Sequence, residues 1–300
     1  MPAKMPPEAR IMIDTVVIPI AGLGTRMGPL TRVVPKALLP LVDRAGCVRT
    51  VLDELMMESA RAGCQQAVVV VHPAHRRLVE DYLAAAGAPL RVNLIDAEPR
   101  GFGYAVLQAR PVVGDRDFLL LLGDHLRRSP VGDAEPPREP SALGALAAAH
   151  ERLRAAATVA MQEVGPDQLA TMGIAAGEPI PSQEGQNQEA GAGASLYRCR
   201  AFAEKPTLDH ARRHLLTPGL VADRFLAHAG LYAFSRQIWP ALDTAAAAMP
   251  IGQEVQLAAA QALLLERCPQ DYYLLRIGQR VFDTGSPAGY LEAVRAWSQA

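Results

Sequence analysis

Lysine is almost missing from this chain. Of its 300 residues 30 are basic, but only Lys4, Lys36 and Lys205 are lysine and the other 27 are arginine. We read the skew as coding bias. It still makes each surviving lysine worth placing, because a compact ammonium and a planar guanidinium do different chemistry. Net charge is missing as well: the 30 basic and 31 acidic residues leave −1. A surface so balanced has no overall attraction for nucleic acid or an anionic membrane. Aromatics number only 15, which together with the charge balance argues against a nucleic-acid partner. No apolar run reaches the roughly 18 residues a membrane-spanning helix needs, so no membrane partner is expected. The four cysteines, Cys47, Cys64, Cys199 and Cys268, show no C-x-x-C spacing. They read as free thiols of a reducing compartment, which makes the expected location cytoplasmic.

What is present is the composition of a globular protein, 50% hydrophobic and 20% charged. Residues 1–13 open with three prolines before Arg10 and no apolar core. They read as a disordered leader and not as a signal peptide. From residue 14 onward, short apolar runs alternate with helical spacing. Thr15–Ile20, Ala67–Val71, Leu90–Ile95 and Phe118–Leu122 read as strands, the first, second and fourth buried. Val48–Ala62, Ala74–Ala86 and Tyr104–Ala109 read as helices between them. This alternation predicts an α/β fold, a parallel sheet with helices on both faces and right-handed crossovers. Arg127–Pro140 reads as a loop. Gly177–Ser195, almost without apolar residues, reads as a mobile surface insertion. Beyond it Arg198–Ala203, Phe225–Phe234 and Tyr272–Ile277 read as strands, and Leu208–Leu216, Glu254–Glu266 and Pro287–Ser298 as helices.

The first strand runs into Gly22-Leu23-Gly24-Thr25-Arg26-Met27-Gly28-Pro29. Glycines after a buried strand let the backbone approach a phosphate and present N–H groups to it. The loop is not a Walker A motif, which needs G-K-[ST], and Met27 stands where a G-x-G-x-x-G fingerprint needs glycine. Arg26 could fork onto a phosphate. Pro29, Pro35 and Pro40 should hold Gly28–Leu41 out of a regular helix, as an extended loop projecting Lys36. Asp124 follows the run Phe118–Leu122, where open α/β sheets bind ligands.

The string from Gly22 to Pro40 resembles the signature of the sugar-1-phosphate nucleotidyltransferases, most closely their uridylyltransferase branch. Gly101–Asp115 is similar to that branch's G-x-G-x-A-V-L-x-A-x-P-V-V-G-D. Glu204-Lys205-Pro206 is similar to its E-K-P, and Gly252-Gln253-Glu254-Val255-Gln256-Leu257 to its G-D-E-I-Q-L. Asp283-Thr284-Gly285-Ser286-Pro287-Ala288-Gly289-Tyr290 resembles its D-x-G-x-x-x-G-Y. The motifs stand in the family's order over roughly residues 14–297.

The resemblance implies a Rossmann-like, doubly wound, mostly parallel mixed sheet flanked by helices, the GT-A-like nucleotidyltransferase fold. It implies one domain over 14–300, with a nucleotide-binding half (14–125), a sugar-phosphate-binding half (126–285) carrying the insertion at 177–195, and a C-terminal helix (286–300). It implies transfer from a nucleoside triphosphate, UTP in this branch, to a sugar 1-phosphate, with pyrophosphate released. Such chemistry is mostly positioning and electrostatic stabilisation and needs no covalent residue. Ala21, Gly22, Gly24, Thr25, Asp96 and Gly101 would hold the nucleotide. Arg26 and Lys36 would meet the triphosphate and leaving pyrophosphate, and Lys205 the phosphate of the sugar. Gly173 and Glu204 would take the sugar, and Asp124 and Asp283 a Mg²⁺ ion. His125 reads as a supporting neighbour of Asp124. A homo-oligomer, dimer or tetramer, is implied, with the apolar stretch Val255–Trp297 available to build it.

Three positions depart from the family pattern. Asp96 stands where a glutamine reads the uracil edge, and a carboxylate lacks the amide donor. Gln253 replaces the acid of G-D-E-I-Q-L, and Met172 replaces the tyrosine before Gly173. These leave two alternatives beside UTP and glucose 1-phosphate: another nucleotide or sugar phosphate, or a non-catalytic nucleotide-sugar-binding homologue.

Overall fold

The computed structural model describes residues 13–128, 141–181, 195–250 and 252–299. Most of the expected leader, and of the segments read as a loop at 127–140 and an insertion at 177–195, lies outside those residues. The first half runs β1 (Thr15–Pro19), β2 (Pro40–Val42), β3 (Val48–Thr50), α1 (Val51–Arg61), β4 (Gln66–Val71), α2 (Arg76–Ala86), β5 (Arg91–Asp96), α3 (Phe102–Gln108), α4 (Arg110–Val113) and β6 (Phe118–Leu121). The second half runs β7 (His125–Arg128), α5 (Ala142–Leu153), β8 (Ala157–Val164), β9 (Gly173–Pro179), β10 (Ser195–Glu204), α6 (Leu208–His214), β11 (Phe225–Phe234), α7 (Ile238–Ala248), α8 (Leu257–Arg267), β12 (Tyr272–Arg276), β13 (Arg280–Asp283) and α9 (Pro287–Ser298).

Nine strands make one mixed sheet in the order β5-β4-β1-β6-β11-β8-β12-β10-β9, and β9 turns back to pair with β11. Alternate residues of β1 enter opposite cores. Val16 and Ile18 pack with α1, α5 and α9, whereas Val17 packs with α3, α7 and α8. A strand buried on both faces needs an apolar residue at every position, which is why β1, β4 and β6 read as unbroken apolar runs. α1 starts at a capping box in which Thr50 and Asp53 satisfy each other's backbone N–H groups.

The parallel expectation holds from β5 through β6. It fails at β11, which runs antiparallel to β6, β8 and β9. Four further expectations are corrected. Val48–Thr50 is a strand pairing with β2, so the helix read at Val48–Ala62 begins only at Val51. The segment read as extended from Gly28 to Leu41 is instead wound in 3₁₀ turns over Thr25–Arg32 and Lys36–Leu38, the prolines stopping an α-helix without enforcing extension. Gly177–Pro179 and Ser195 at the borders of the expected insertion are strand residues, paired through β9, β10 and β12. Arg127 and Arg128, read as loop, pair with β13. Val255, Leu257, Ala260, Leu264, Ala293 and Trp297, from the stretch expected to build an oligomer, are buried in this chain's own core.

The order places β1 between β4 and β6. The chain leaves β1 for one side of the sheet and returns to the other at β6, so a crevice opens beyond the ends of these two strands. No helix among the described residues is long and apolar enough to cross a membrane.

Candidate active site

The crevice is built by close backbone approach. A Cβ on Gly123 would lie 2.5 Å from the Pro19 carbonyl oxygen, so only glycine lets the chain leaving β6 lie against β1. After β1, Gly24 takes a left-handed conformation (φ +63°), and the Thr31 hydroxyl donates to its carbonyl at 2.7 Å. That bond folds the glycine loop into the 3₁₀ turn carrying Arg26. The next turn, after Pro35, carries Lys36.

Lys36 pairs with Asp124 through Oδ2, and the His125 ring nitrogen Nδ1 lies 2.9 Å from Oδ1 of the same carboxylate. Burial alone would raise the Asp124 pKa. The hydrogen bond and charge of His125 and the Lys36 ammonium outweigh it and hold the carboxyl well below the usual range.

Asp283 reaches this point from 159 positions away by pairing of β7 with β13. His125 faces Asp283 in register. The buried Thr284 then locks the two strands, its N–H and its hydroxyl each donating to the Asp124 carbonyl at 2.8 Å. The Gly285 N–H donates to Asp283 Oδ1 at 2.8 Å, and Arg26 Nη1 lies 3.6 Å from Asp283 Oδ2. A Cβ on Gly285 would fall 2.9 Å from Asp283 Oδ1 and 3.1 Å from Arg26 Nη2, and closer still to Asp124 Oδ2. The absent side chain of Gly285 is thus the space on which both acids and Arg26 converge. Ligand atoms of Asp124, His125 and Asp283 lie within 4.8 Å of one another, the single such group among the described residues. Carboxylate oxygens are the hard donors that magnesium prefers.

A second cluster forms where three strands lie side by side. Glu204 on β10 is in register with Gly173 on β9. The pairs Leu226–Ala175 and Ala227–Ile174 carry the β11 register on to place His228 at the other side of Gly173. Paired residues share a face. A Cβ on Gly173 would accordingly lie 3.0 Å from Glu204 Oε2 and 3.2 Å from His228 Nδ1. Lys205 has a left-handed backbone (φ +49°), its N–H donates to the Met172 carbonyl at 3.0 Å, and its ammonium lies 3.5 Å from Glu204. Burial pushes the His228 imidazole down to about 4. It raises the Tyr232 phenol, with the Glu204 charge adding to the rise.

The remaining expected residues lie apart from both clusters or support them. Ala21 is buried, and Gly22 and Thr25 lie on the glycine loop. Asp96 ends β5 and pairs with Arg76 at 3.1 Å. Gly101 is glycine because φ is +102° and the Val255 backbone would meet a Cβ at 2.5 Å. Gly103 and Arg100 bond the same Val255 backbone at 2.8 Å, so the two motifs read at Gly101 and Gly252 clamp each other. The sequence reading assigned no role to Gly285, Thr284 or His228. The first two sit inside the Asp283 motif, a signal that was present. His228 lies in the apolar run Phe225–Phe234 and carries no motif.

A profile of the Nucleotidyl transferase family matches residues 15–300. The chain is 26% identical over 304 residues to the UTP–glucose-1-phosphate uridylyltransferase of Haemophilus influenzae, covering 92% of this chain and 90% of that one. It is 30% identical over 231 residues to the enzyme of the same name from Streptococcus pneumoniae serotype 4, covering 67% and 70%. A solved UDP-glucose pyrophosphorylase in complex with UDP-glucose superposes with a TM-score of 0.73 at 22% identity, covering 95% of this chain and 98% of that one. The chain belongs to the Nucleotidyl transferase family and is a nucleotidyltransferase.

Proposed function

We propose that this enzyme transfers the uridylyl group of UTP to glucose 1-phosphate, giving UDP-glucose and pyrophosphate. The observation that carries the reading is the convergence of Arg26, Lys36, Asp124 and Asp283 around Gly285 at the end of β1 and β6. The names of the relatives supply the substrates. Two anions must meet for the reaction, so their mutual repulsion has to be offset. Asp124 and Asp283 would hold a Mg²⁺ ion, which when bound neutralises charge on the triphosphate. The glycine loop would receive the triphosphate, with Arg26 and Lys36 stabilising charge that grows on the leaving pyrophosphate. Glu204 would orient the sugar and Lys205 its phosphate. An oxygen of that phosphate attacks the α-phosphorus, and the bond to the β-phosphate breaks.

Pyrophosphate release from UTP, glucose 1-phosphate and Mg²⁺ tests the reading, and turnover should disappear in Asp124→Asn. No release with UTP and any sugar 1-phosphate would overturn it. Asp96 favours a second reading, in which the base is not uracil. A panel of nucleoside triphosphates with a clear preference for UTP would remove that alternative.

A further inference from the structure

We infer that His228 is a specificity-determining residue, reading one ring hydroxyl of the sugar across Gly173 from Glu204. The inference rests on the sugar-phosphate reading given above and adds a recognition element to it.

The argument begins with strand register. Glu204, Gly173 and His228 form one row across β10, β9 and β11, and Phe202, Ala175 and Leu226 form the next row on the same face. The missing side chain of Gly173 leaves a slot with Glu204 Oε2 on one wall and His228 Nδ1 on the other. The Phe202 ring, 6.0 Å from that of His228, and the Tyr232 ring, 5.9 Å away and edge-on, close the back. The imidazole has no hydrogen-bond partner among the described residues and is only partly buried, so its ring is open to a ligand in the slot.

The chemistry of the two walls is complementary. A carboxylate only accepts, whereas a neutral imidazole has one donor and one acceptor nitrogen. Together they fit a polyhydroxylated ring whose hydroxyls each donate and accept. Held uncharged by its surroundings, His228 suits a hydroxyl rather than a phosphate. The slot also adjoins the acid cluster. Two residues beyond His228, Gly230 (φ +74°) would place a Cβ 3.2 Å from the His125 ring. The same bulged stretch of β11 therefore serves the hydroxyl slot and backs the residue that bonds Asp124.

The experiment is steady-state pyrophosphate release by the full chain with UTP and Mg²⁺. Glucose 1-phosphate is compared with monodeoxy analogues that each lack one ring hydroxyl. The expected result is that wild type loses about tenfold in kcat/KM for one particular analogue, the size of one good hydrogen bond. His228→Ala should raise KM for glucose 1-phosphate by a similar factor, leave KM for UTP unchanged and abolish the penalty for that analogue alone. His228→Gln, which keeps a donor and an acceptor, should keep part of the discrimination. His228→Leu restores the volume without polar atoms and decides the matter if the alanine variant does not fold. Unchanged KM for glucose 1-phosphate in the Ala or Leu variant, or undiminished discrimination against every analogue, would overturn the role of His228 alone. Wild type that uses a different hexose 1-phosphate shifts the same comparison to that sugar, which overturns glucose and still decides His228. Wild type that uses no sugar 1-phosphate overturns both readings.

Discussion

The ammonium of Lys36 rests on Oδ2 of Asp124, the same oxygen that faces the empty position above Gly285. A cation bound between Asp124 and Asp283 must therefore share that oxygen with Lys36 or take it over. The lysine holds the buried carboxylate charged, and a cation that took over this oxygen would free the lysine to turn toward phosphate. Lys36→Met should accordingly lower Tm without metal, and Mg²⁺ should raise Tm more in the variant than in wild type. Lys36→Arg keeps the charge but replaces a compact ammonium by a planar fork, so kcat/KM should fall on the order of a hundredfold. Wild-type kinetics in Lys36→Arg would remove Lys36 from the machinery.

Gly285→Ala tests the convergence directly. The added methyl cannot fit while Asp124 and Asp283 keep their places, since it would lie 2.9 Å from Asp283 Oδ1 and nearer still to Asp124 Oδ2. The φ of Gly285 is not left-handed, so backbone strain is not the issue. We expect a folded protein with activity reduced by about two orders of magnitude or more, the cost of misplacing reacting groups by an ångström. Circular dichroism and pyrophosphate release read the two parts separately, and an active Gly285→Ala would mean that this space is not used.

A buried ion pair anchors the strand that brings the acids together. Arg127 on β7, its side chain 1% exposed, forks onto Glu58 of α1 with contacts of 2.7 and 3.1 Å. Removing one partner strands the other charge in the interior. Glu58→Ala should lose roughly 3 kcal/mol of stability, measured as a lower urea midpoint with unchanged slope. A loss below about 1 kcal/mol would show that water reaches the guanidinium.

Much of this site was legible because it follows strand ends. Asp124 and the glycine loop that carries Arg26 follow buried apolar runs, which are visible without a structure, whereas Lys36 was marked by the motif string from Gly22 to Pro40. The meeting of Asp124 with Asp283 was implied by the motif resemblance alone, and no local pattern showed how the chain brings it about. It depends on β7 (His125–Arg128), mostly charged or polar and with Arg127 and Arg128 read as loop, pairing with the short β13. Neither strand has the alternation that marks a half-buried strand. His228 was hidden for the opposite reason: inside a run that reads as core, one polar residue gives no sign of which face it is on. The change from parallel to antiparallel order at β11 was hidden too, since a fully buried strand reads the same in either direction.

Asp96 gives a prediction about the base. At the end of β5 its carboxylate is held by Arg76 at 3.1 Å, and it offers a base only acceptor atoms. A glutamine there would present a donor and an acceptor together to the carbonyl and N–H of uracil. Asp96→Gln should increase the preference for UTP over CTP several-fold, the worth of one added hydrogen bond. Competition between the two nucleotides in one reaction measures it, and an unchanged ratio would place base reading elsewhere.

His228 also makes stability depend on pH in a predictable direction. Burial lowers its pKa from 6.5 to about 4 in the folded protein. Between those values the unfolded chain binds a proton at this side chain that the folded one refuses. The unfolded state therefore gains as pH falls, and the stability that depends on neutral His228 is full above about 6.5 and lost progressively toward 4. The size is at most roughly 3 kcal/mol, and less to the extent that water reaches the ring through the slot. His228→Gln cannot take up the proton. Urea unfolding at pH 7.5 and at pH 4.5 should therefore show a smaller drop for the variant than for wild type. The groups that face the ring, Glu204 across Gly173 among them, are the same in both proteins and cancel in the comparison. Equal drops would mean that the folded protein protonates His228 as readily as the unfolded chain does. The ring would then be charged under mildly acidic conditions, better matched to a phosphate than to a hydroxyl.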